Sequence, residues 1–228
     1  MIKKIRLSAD IFRDNDREAG KNRRLFKKAG VFVVNLMGAP GCGKTTLIEN
    51  LAKNYKGKIR LAVIEGDIAT GKDAQRIAKA GVPVSLLNTD QVGNACHLSS
   101  KMIRKAYEKI RNTKPEIIII ENIGNLICPA DFDLGENLRV SMVSITEGDD
   151  KVSKYPPMFV NAEAVILSKI DIIKHFKYNL KFVRKEIKRL NPNAEIFEIS
   201  LKNKHSLKFF SDFLINKRTT TNTIYRLT

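Results

Sequence analysis

The apolar residues of this chain fall into short, nearly unbroken runs separated by amphipathic stretches. VFVVNLM at residues 31–37, IIII within 117–121 and AVIL within 164–168 are the clearest of them. Continuous apolar runs of this length mark strands buried on both faces, as in a parallel sheet covered by helices. Strands are accordingly predicted at residues 31–37, 59–65, 82–87, 117–121, 140–145, 164–168 and 195–200. Segments 44–54, 73–80, 97–111, 178–190 and 205–216 read as amphipathic helices. Residues 9–28 add a further helix, acidic early and basic late, in agreement with the helix dipole. The alternation predicts an α/β fold with a doubly wound, mostly parallel sheet and helices on both faces. The expected layout is a basic helical segment at 1–30 packed on a domain spanning 31–217, with a flexible tail at 218–228.

Composition changes this picture only a little. A chain of 228 residues with 43% hydrophobic content supports one ordinary domain with a real core and argues against wholesale disorder. Three cysteines are too few for a disulfide scaffold and fit a reducing compartment, so the cytoplasm is the expected location. No apolar stretch approaches the roughly 20 residues of a membrane span, and no membrane partner is expected. The net charge of +17 raises nucleic acid as a partner. The basic residues are spread along the chain, however, and the 7% aromatic content forms no ladder among them, as a stacking platform would require. Nucleic acid is therefore not the favoured partner.

The strongest chemical signal is Gly38-Ala39-Pro40-Gly41-Cys42-Gly43-Lys44-Thr45, which fits G-x-x-x-x-G-K-[ST] between a buried strand and an amphipathic helix. This marks a P-loop NTPase. The glycines let consecutive N–H groups point at phosphate oxygens, and the helix N-terminus adds its positive end. Lys44 would place its charge on the β- and γ-phosphates, the Thr45 hydroxyl would hold Mg²⁺, and Thr46 lies beside the same phosphates.

Ser168-Lys169-Ile170-Asp171 follows a strand and resembles the N-K-x-D element of GTPases, with Ser at its first position. A carboxylate at Asp171 would accept from both the ring N1–H and the exocyclic amine of guanine, whereas adenine has no N1–H. Lys169 would lie along the base plane. Ser200-Leu201-Lys202, about thirty residues on, resembles the S-A-K element that supports the same base. Two acidic strand ends, Asp67 and Glu121, are candidates for Mg²⁺ beside Thr45, since this ion needs only one or two carboxylates besides a hydroxyl and phosphates. Gly124, three residues after Glu121, is placed to donate its N–H to a γ-phosphate. Lys44, Thr45 and Glu121 are the expected catalytic set.

Cys42, Cys96 and Cys128 each follow a predicted strand, so all three should lie at the C-terminal edge of the sheet, with His97 adjacent. Thiolate and imidazole suit Zn²⁺ or Ni²⁺. The spacing alone is equally compatible with small core thiols and a helix-capping histidine. Cys42 is read as a bystander, because backbone groups of the loop contact phosphate.

The ordered motifs GAPGCGKTTLIE, EGDIATGKDAQRI, CHL, IENIGNLICPADFDLGE, SITEGDDK, KYPPMF and SKID resemble the HypB family, the GTPases of nickel insertion into hydrogenase. The resemblance runs from about residue 15 to 213. It implies GTP or GDP in the phosphate loop, Mg²⁺ at Asp67 and Glu121, and Asp73 in a switch segment. It implies that Cys96, His97 and Cys128 bind Ni²⁺ or Zn²⁺ at a homodimer interface. It also implies a nickel-carrier partner of the HypA type and a hydrogenase large-subunit precursor as client. The N-terminal cysteine motif and His-rich stretch of some members do not occur here, and Ser168 stands where Asn is usual. Alternative readings are a urease-type nickel accessory GTPase, as in the related UreG proteins, and an ATP-dependent small-molecule kinase sharing the P-loop.

Overall fold

The computed structural model describes residues 7–67, 71–88, 97–200, 202 and 204–227. Seven strands form one sheet: β1 (Phe32–Gly38), β2 (Leu61–Asp67), β3 (Val84–Asn88), β4 (Ile117–Glu121), β5 (Leu138–Ser144), β6 (Ala164–Ser168) and β7 (Glu195–Ile199). Their spatial order is β3-β2-β4-β1-β5-β6-β7, and every neighbouring pair is parallel. The helices are α1 (Leu7–Ala29), α2 (Lys44–Tyr55), α3 (Lys72–Lys79), α4 (Ser100–Ile110), α5 (Cys128–Asp131), α6 (Lys151–Lys154), α7 (Pro157–Val160), α8 (Leu180–Leu190) and α9 (Lys204–Leu227). Among the described residues no helix is long and apolar enough to cross a membrane.

The continuous apolar runs behave as a doubly covered sheet demands. Alternate residues of one strand feed opposite cores, because successive side chains point to opposite faces. Val34, Leu36, Ile117 and Ile119 pack with Leu47, Leu51, Ile77, Phe210 and Leu214 on the α2, α3 and α9 side. Val33, Ile118 and Ile120 pack with Phe26, Ile103 and Tyr107 on the α1 and α4 side. A third cluster joins β5 and β6 to α7 and α8 through Val143, Leu167, Phe159 and Ile187.

Helix α1 is attached by polar groups as well as by Phe26. The buried amide of Asn15 donates to the Asp133 carbonyl at 2.7 Å and accepts the Ser100 N–H at 3.0 Å. Asn22, fully buried, donates to the carbonyls of Ser100 at 2.8 Å and Leu134 at 2.9 Å. These two residues join the start of α4 to the stretch that follows α5.

Residues 218–227, within the segment expected to form a flexible tail, continue α9 as helix to Leu227. Arg218 pairs with Glu116, and the Asn137 amide donates to the Tyr225 hydroxyl at 2.6 Å. Long-range contacts of this kind outweigh the weak local propensity of a threonine-rich stretch, which is all that the sequence pattern registers.

Candidate functional site

β1 ends at Gly38, and α2 begins at Lys44 with Gly43 as its N-cap at φ +106°, a conformation L side chains rarely adopt. The loop between them borders a cleft of about 420 Å³ at the C-terminal edge of the sheet. The buried Lys44 Nζ donates to the carbonyls of Gly38 at 2.9 Å and Ala39 at 3.2 Å. Pro40, Gly41, Thr45 and Thr46 also line the cleft. Cys42 does not; its thiol is fully buried, and burial pushes its pKa up to about 11, so it stays protonated.

A carboxylate cluster closes the far side. Thr45 Oγ1 donates to Glu121 Oε1 at 2.8 Å. The β2–β4 register sets Glu65 directly opposite Glu121. Carboxylate oxygens of Glu65, Asp73 and Glu121 lie within 4.8 Å of one another, and among the described residues this is the only cluster of three or more potential metal ligands. Burial, then the neighbouring Glu121, pushes the Glu65 carboxyl up to about 11. Burial also raises Glu121, against the opposing hydrogen bonds and the charge of Lys44. Glu65 Oε2 and Glu121 Oε2 are buried without a hydrogen-bond partner. Orphaned carboxylate oxygens beside a hydroxyl make a hard, oxygen-only donor set, which fits Mg²⁺.

Asp67, expected with Glu121 beside Thr45, borders the cleft, and its side chain accepts the Gly71 N–H at 2.6 Å. Glu65, one pleat earlier on the same face of β2, lies directly opposite Glu121. Sequence reading missed Glu65 because the relative register of two strands is not written in either one. It also missed Arg76, on the cleft wall, which donates to Thr46 Oγ1 at 3.2 Å and pairs with Asp73 and Glu49, each at 2.9 Å. Its position one helical turn after Asp73 in GKDAQR was the available signal. Gly124 lies against the phosphate loop so closely that an added Cβ would meet Pro40 Cγ at 2.8 Å and Pro40 N at 3.0 Å.

The two segments expected to recognise a base come together at the ends of β6 and β7. Lys202 Nζ lies 3.4 Å from Asp171. Against the upward push of desolvation, hydrogen bonds from Ser200 and Lys202 hold the Asp171 carboxyl below its usual range, so it is ionised. Lys169 adopts a left-handed conformation at φ +61°, with Nζ 3.5 Å from Thr146 Oγ1. Ser168 is fully buried and donates to the carbonyl of Cys42 at 2.7 Å. Leu201 lies outside the described residues.

Cys96 also lies outside the described residues. Its neighbour His97 stacks on Phe132 at 3.6 Å between ring centroids, and burial lowers the His97 pKa, which favours the neutral imidazole. Phe132 caps α5, the short helix that begins at Cys128, so the His97 and Cys128 segments are neighbours. No cluster of three ligand atoms forms around either among the described residues.

The family described as CobW/HypB/UreG, nucleotide-binding domain, matches residues 32–198. The chain is 40% identical over 222 residues to the hydrogenase/urease maturation factor HypB of Helicobacter pylori strain J99, covering 95% of this chain and 89% of that one. It is 42% identical over 196 residues to a probable hydrogenase maturation factor HypB of Methanocaldococcus jannaschii, covering 86% of this chain and 87% of that one. A crystal structure of HypB from Helicobacter pylori in complex with nickel superposes with a TM-score of 0.87 at 40% identity, covering 92% of this chain and 97% of that one.

Proposed function

This chain belongs to the HypB hydrogenase maturation factors of the CobW/HypB/UreG nucleotide-binding family, and from that premise we propose that it binds GTP with Mg²⁺, hydrolyses it slowly, and uses the cycle to license nickel insertion into a hydrogenase precursor. The observation that carries the choice of base is Asp171, an ionised carboxylate held by Ser200 and Lys202 beside the phosphate loop. A guanine edge offers it two donors, whereas adenine would leave it one donor short.

Thr45, Glu121, Glu65 and Asp73 are the residues that would hold Mg²⁺. The chemistry supplied by a bound divalent cation is charge neutralisation across the β- and γ-phosphates. Lys44 and the loop amides bind and orient the phosphate chain, and Arg76 reaches the same phosphates from α3. Catalysis of this kind is positioning and electrostatics, and it requires no covalent chemistry from the protein.

Nickel is the cargo. The Helicobacter pylori relative is described in complex with nickel, and His97 and Cys128, with Cys96, supply imidazole and thiol of the softness that Ni²⁺ or Zn²⁺ accepts. Three protein ligands per chain leave room for a second copy to complete the site, which supports a homodimer. A nickel-carrier protein of the HypA type and the hydrogenase large-subunit precursor are the partners this role requires. The physical link between nucleotide and metal is the segment from Glu121 to Cys128, which passes against the phosphate loop at Gly124 and Pro40. A γ-phosphate that displaces this segment also moves the Cys128 turn.

Competition binding with GTP, ATP and ITP tests the base, with GTP expected to win clearly over ATP; equal affinity for the two would overturn the reading. Titration with Ni²⁺ and Zn²⁺, with and without a non-hydrolysable GTP analogue, tests the coupling. Cys96→Ala and Cys128→Ala are expected to lower stoichiometry or affinity, and unchanged binding in both would remove the metal assignment.

A further inference from the structure

At the opposite end of the sheet, where β1, β2 and β4 begin, a second cleft of about 630 Å³ is walled by the C-terminal turns of α1 and α4 and by α9. The length of β1, at about 3.3 Å per residue, separates it from the phosphate loop by about 20 Å. Six cations line it, Lys27, Lys28, Arg60, Arg111, Lys114 and Arg218, and its one acidic lining residue is Glu116.

Helix dipoles account for part of this charge. Lys27 and Lys28 sit in the last turn of α1, and Arg111 follows α4, where cations complement exposed carbonyls. Arg60 and Lys114 instead lie in the loops that lead into β2 and β4, and Arg218 lies within α9, so no helix end calls for them. Glu116 is already committed: one oxygen pairs with Arg218, while the other lies 3.3 Å from Arg60 Nη1 and accepts the Arg60 N–H at 3.1 Å. Arg60 Nε is fixed by donation to the Lys114 carbonyl at 2.6 Å. Arg111 also pairs with Glu108 at 3.0 Å, and Lys27 lies over the Tyr225 ring at 5.3 Å. Arg218 Nε is buried with no hydrogen-bond partner. The cleft thus holds two guanidinium groups in a set orientation, with lysines at its rim. Its surplus of like charge is self-repulsive until an anion enters.

We propose that this cleft binds a small polyanion carrying a chain of at least two phosphate groups, whether free or borne on a nucleotide. Planar guanidinium groups match phosphate oxygens, and flanking lysines add point charges to the remaining ones. The concave, helix-walled shape suits a compact ligand better than an extended strand or a duplex. This site is independent of the nucleotide reading, because it shares no residue with the phosphate loop.

Calorimetric titration of the full chain, first loaded with GDP and Mg²⁺, uses inorganic tripolyphosphate and ATP as separate probes. Saturable binding of at least one probe is expected, and the comparison separates a free phosphate chain from a nucleotide-borne one. The same titration on Lys44→Ala is expected to retain this event. Lys28→Ser combined with Lys114→Asn, where Asn tolerates the left-handed backbone at φ +49° of position 114, is expected to weaken it by about ten-fold or more, as loss of charge-assisted contacts implies. An unaltered circular dichroism spectrum controls for folding of that double variant. No saturable event with either probe, an event unchanged in the double variant, or capture of a single-stranded oligonucleotide without any response to tripolyphosphate would overturn the proposal.

Discussion

The Ser168 hydroxyl, at the end of β6, donates to the carbonyl oxygen of Cys42 in the phosphate loop at 2.7 Å. One short side chain therefore joins the strand that leads to Lys169 and Asp171 to the loop that would hold the phosphates. This fully buried serine makes the connection from strand to loop with a single hydroxyl.

Ser168→Ala leaves a buried carbonyl without this donor, a loss of about 1–2 kcal/mol. Affinity for a fluorescent GDP analogue is expected to fall by about ten-fold for each 1.4 kcal/mol expressed in binding. The preference for GTP over ATP should persist, because Asp171 is untouched. Affinity equal to that of the unmodified protein would show that this bond does not support the phosphate loop.

Asp171→Asn replaces a two-acceptor carboxylate by an amide. Two hydrogen bonds to a charged acceptor, at about 1.5–3 kcal/mol each, are at stake, so GTP affinity is expected to fall by 100-fold or more, at about ten-fold per 1.4 kcal/mol. Xanthosine triphosphate, whose 2-carbonyl accepts from the new amide, should bind better than GTP in this variant. Retained GTP binding in a competition assay would count against base recognition by this residue.

The Glu65–Glu121 pair predicts a pH dependence of definite sign. Both carboxyls are raised in the folded chain, Glu65 to about 11, above an ordinary value near 4.5. The folded state therefore holds protons that the unfolded state has released. The resulting stability is complete below about pH 4.5 and declines as pH rises toward the folded value, by at most about 1.4 kcal/mol per pH unit for each proton. In the absence of Mg²⁺ and nucleotide, the melting temperature is expected to fall between pH 6 and pH 9. Glu65→Gln should flatten that slope, and Mg²⁺ affinity of the unmodified protein should rise over the same range as the protons leave. Parallel melting profiles for the variant and the unmodified chain would show that Glu65 contributes no proton to this dependence.

Truncation after residue 217 removes the Arg218–Glu116 pair and the Asn137–Tyr225 hydrogen bond. The pair is partly exposed and the hydrogen bond partly buried, so the combined loss should be about 2 kcal/mol. For a chain of this size that lowers the melting temperature by about 4–8 °C, measurable by calorimetry. A truncated chain that melts with the full one would mean that this end of α9 adds nothing to the fold.

The hydrophobic pattern along the chain was enough for the class of architecture. Runs such as IIII and AVIL are apolar at every position, as a strand covered on both faces requires, and all seven predicted strands occur. The phosphate loop was equally legible, because its chemistry resides in eight consecutive residues whose backbone geometry is local. Tertiary structure decided the rest. Glu65 stands opposite Glu121 because the β2–β4 register is a property of the pair, set by packing on both faces of the sheet. The last turns of α9 contact Glu116 and Asn137, distant in sequence, and no local propensity encodes such contacts. The six cations of the opposite cleft are scattered from Lys27 to Arg218, so their charge becomes one feature only when α1, α4 and α9 converge there. Local backbone chemistry can be read from a string of residues, whereas electrostatic neighbourhoods built across strands and helices exist only once the chain has folded.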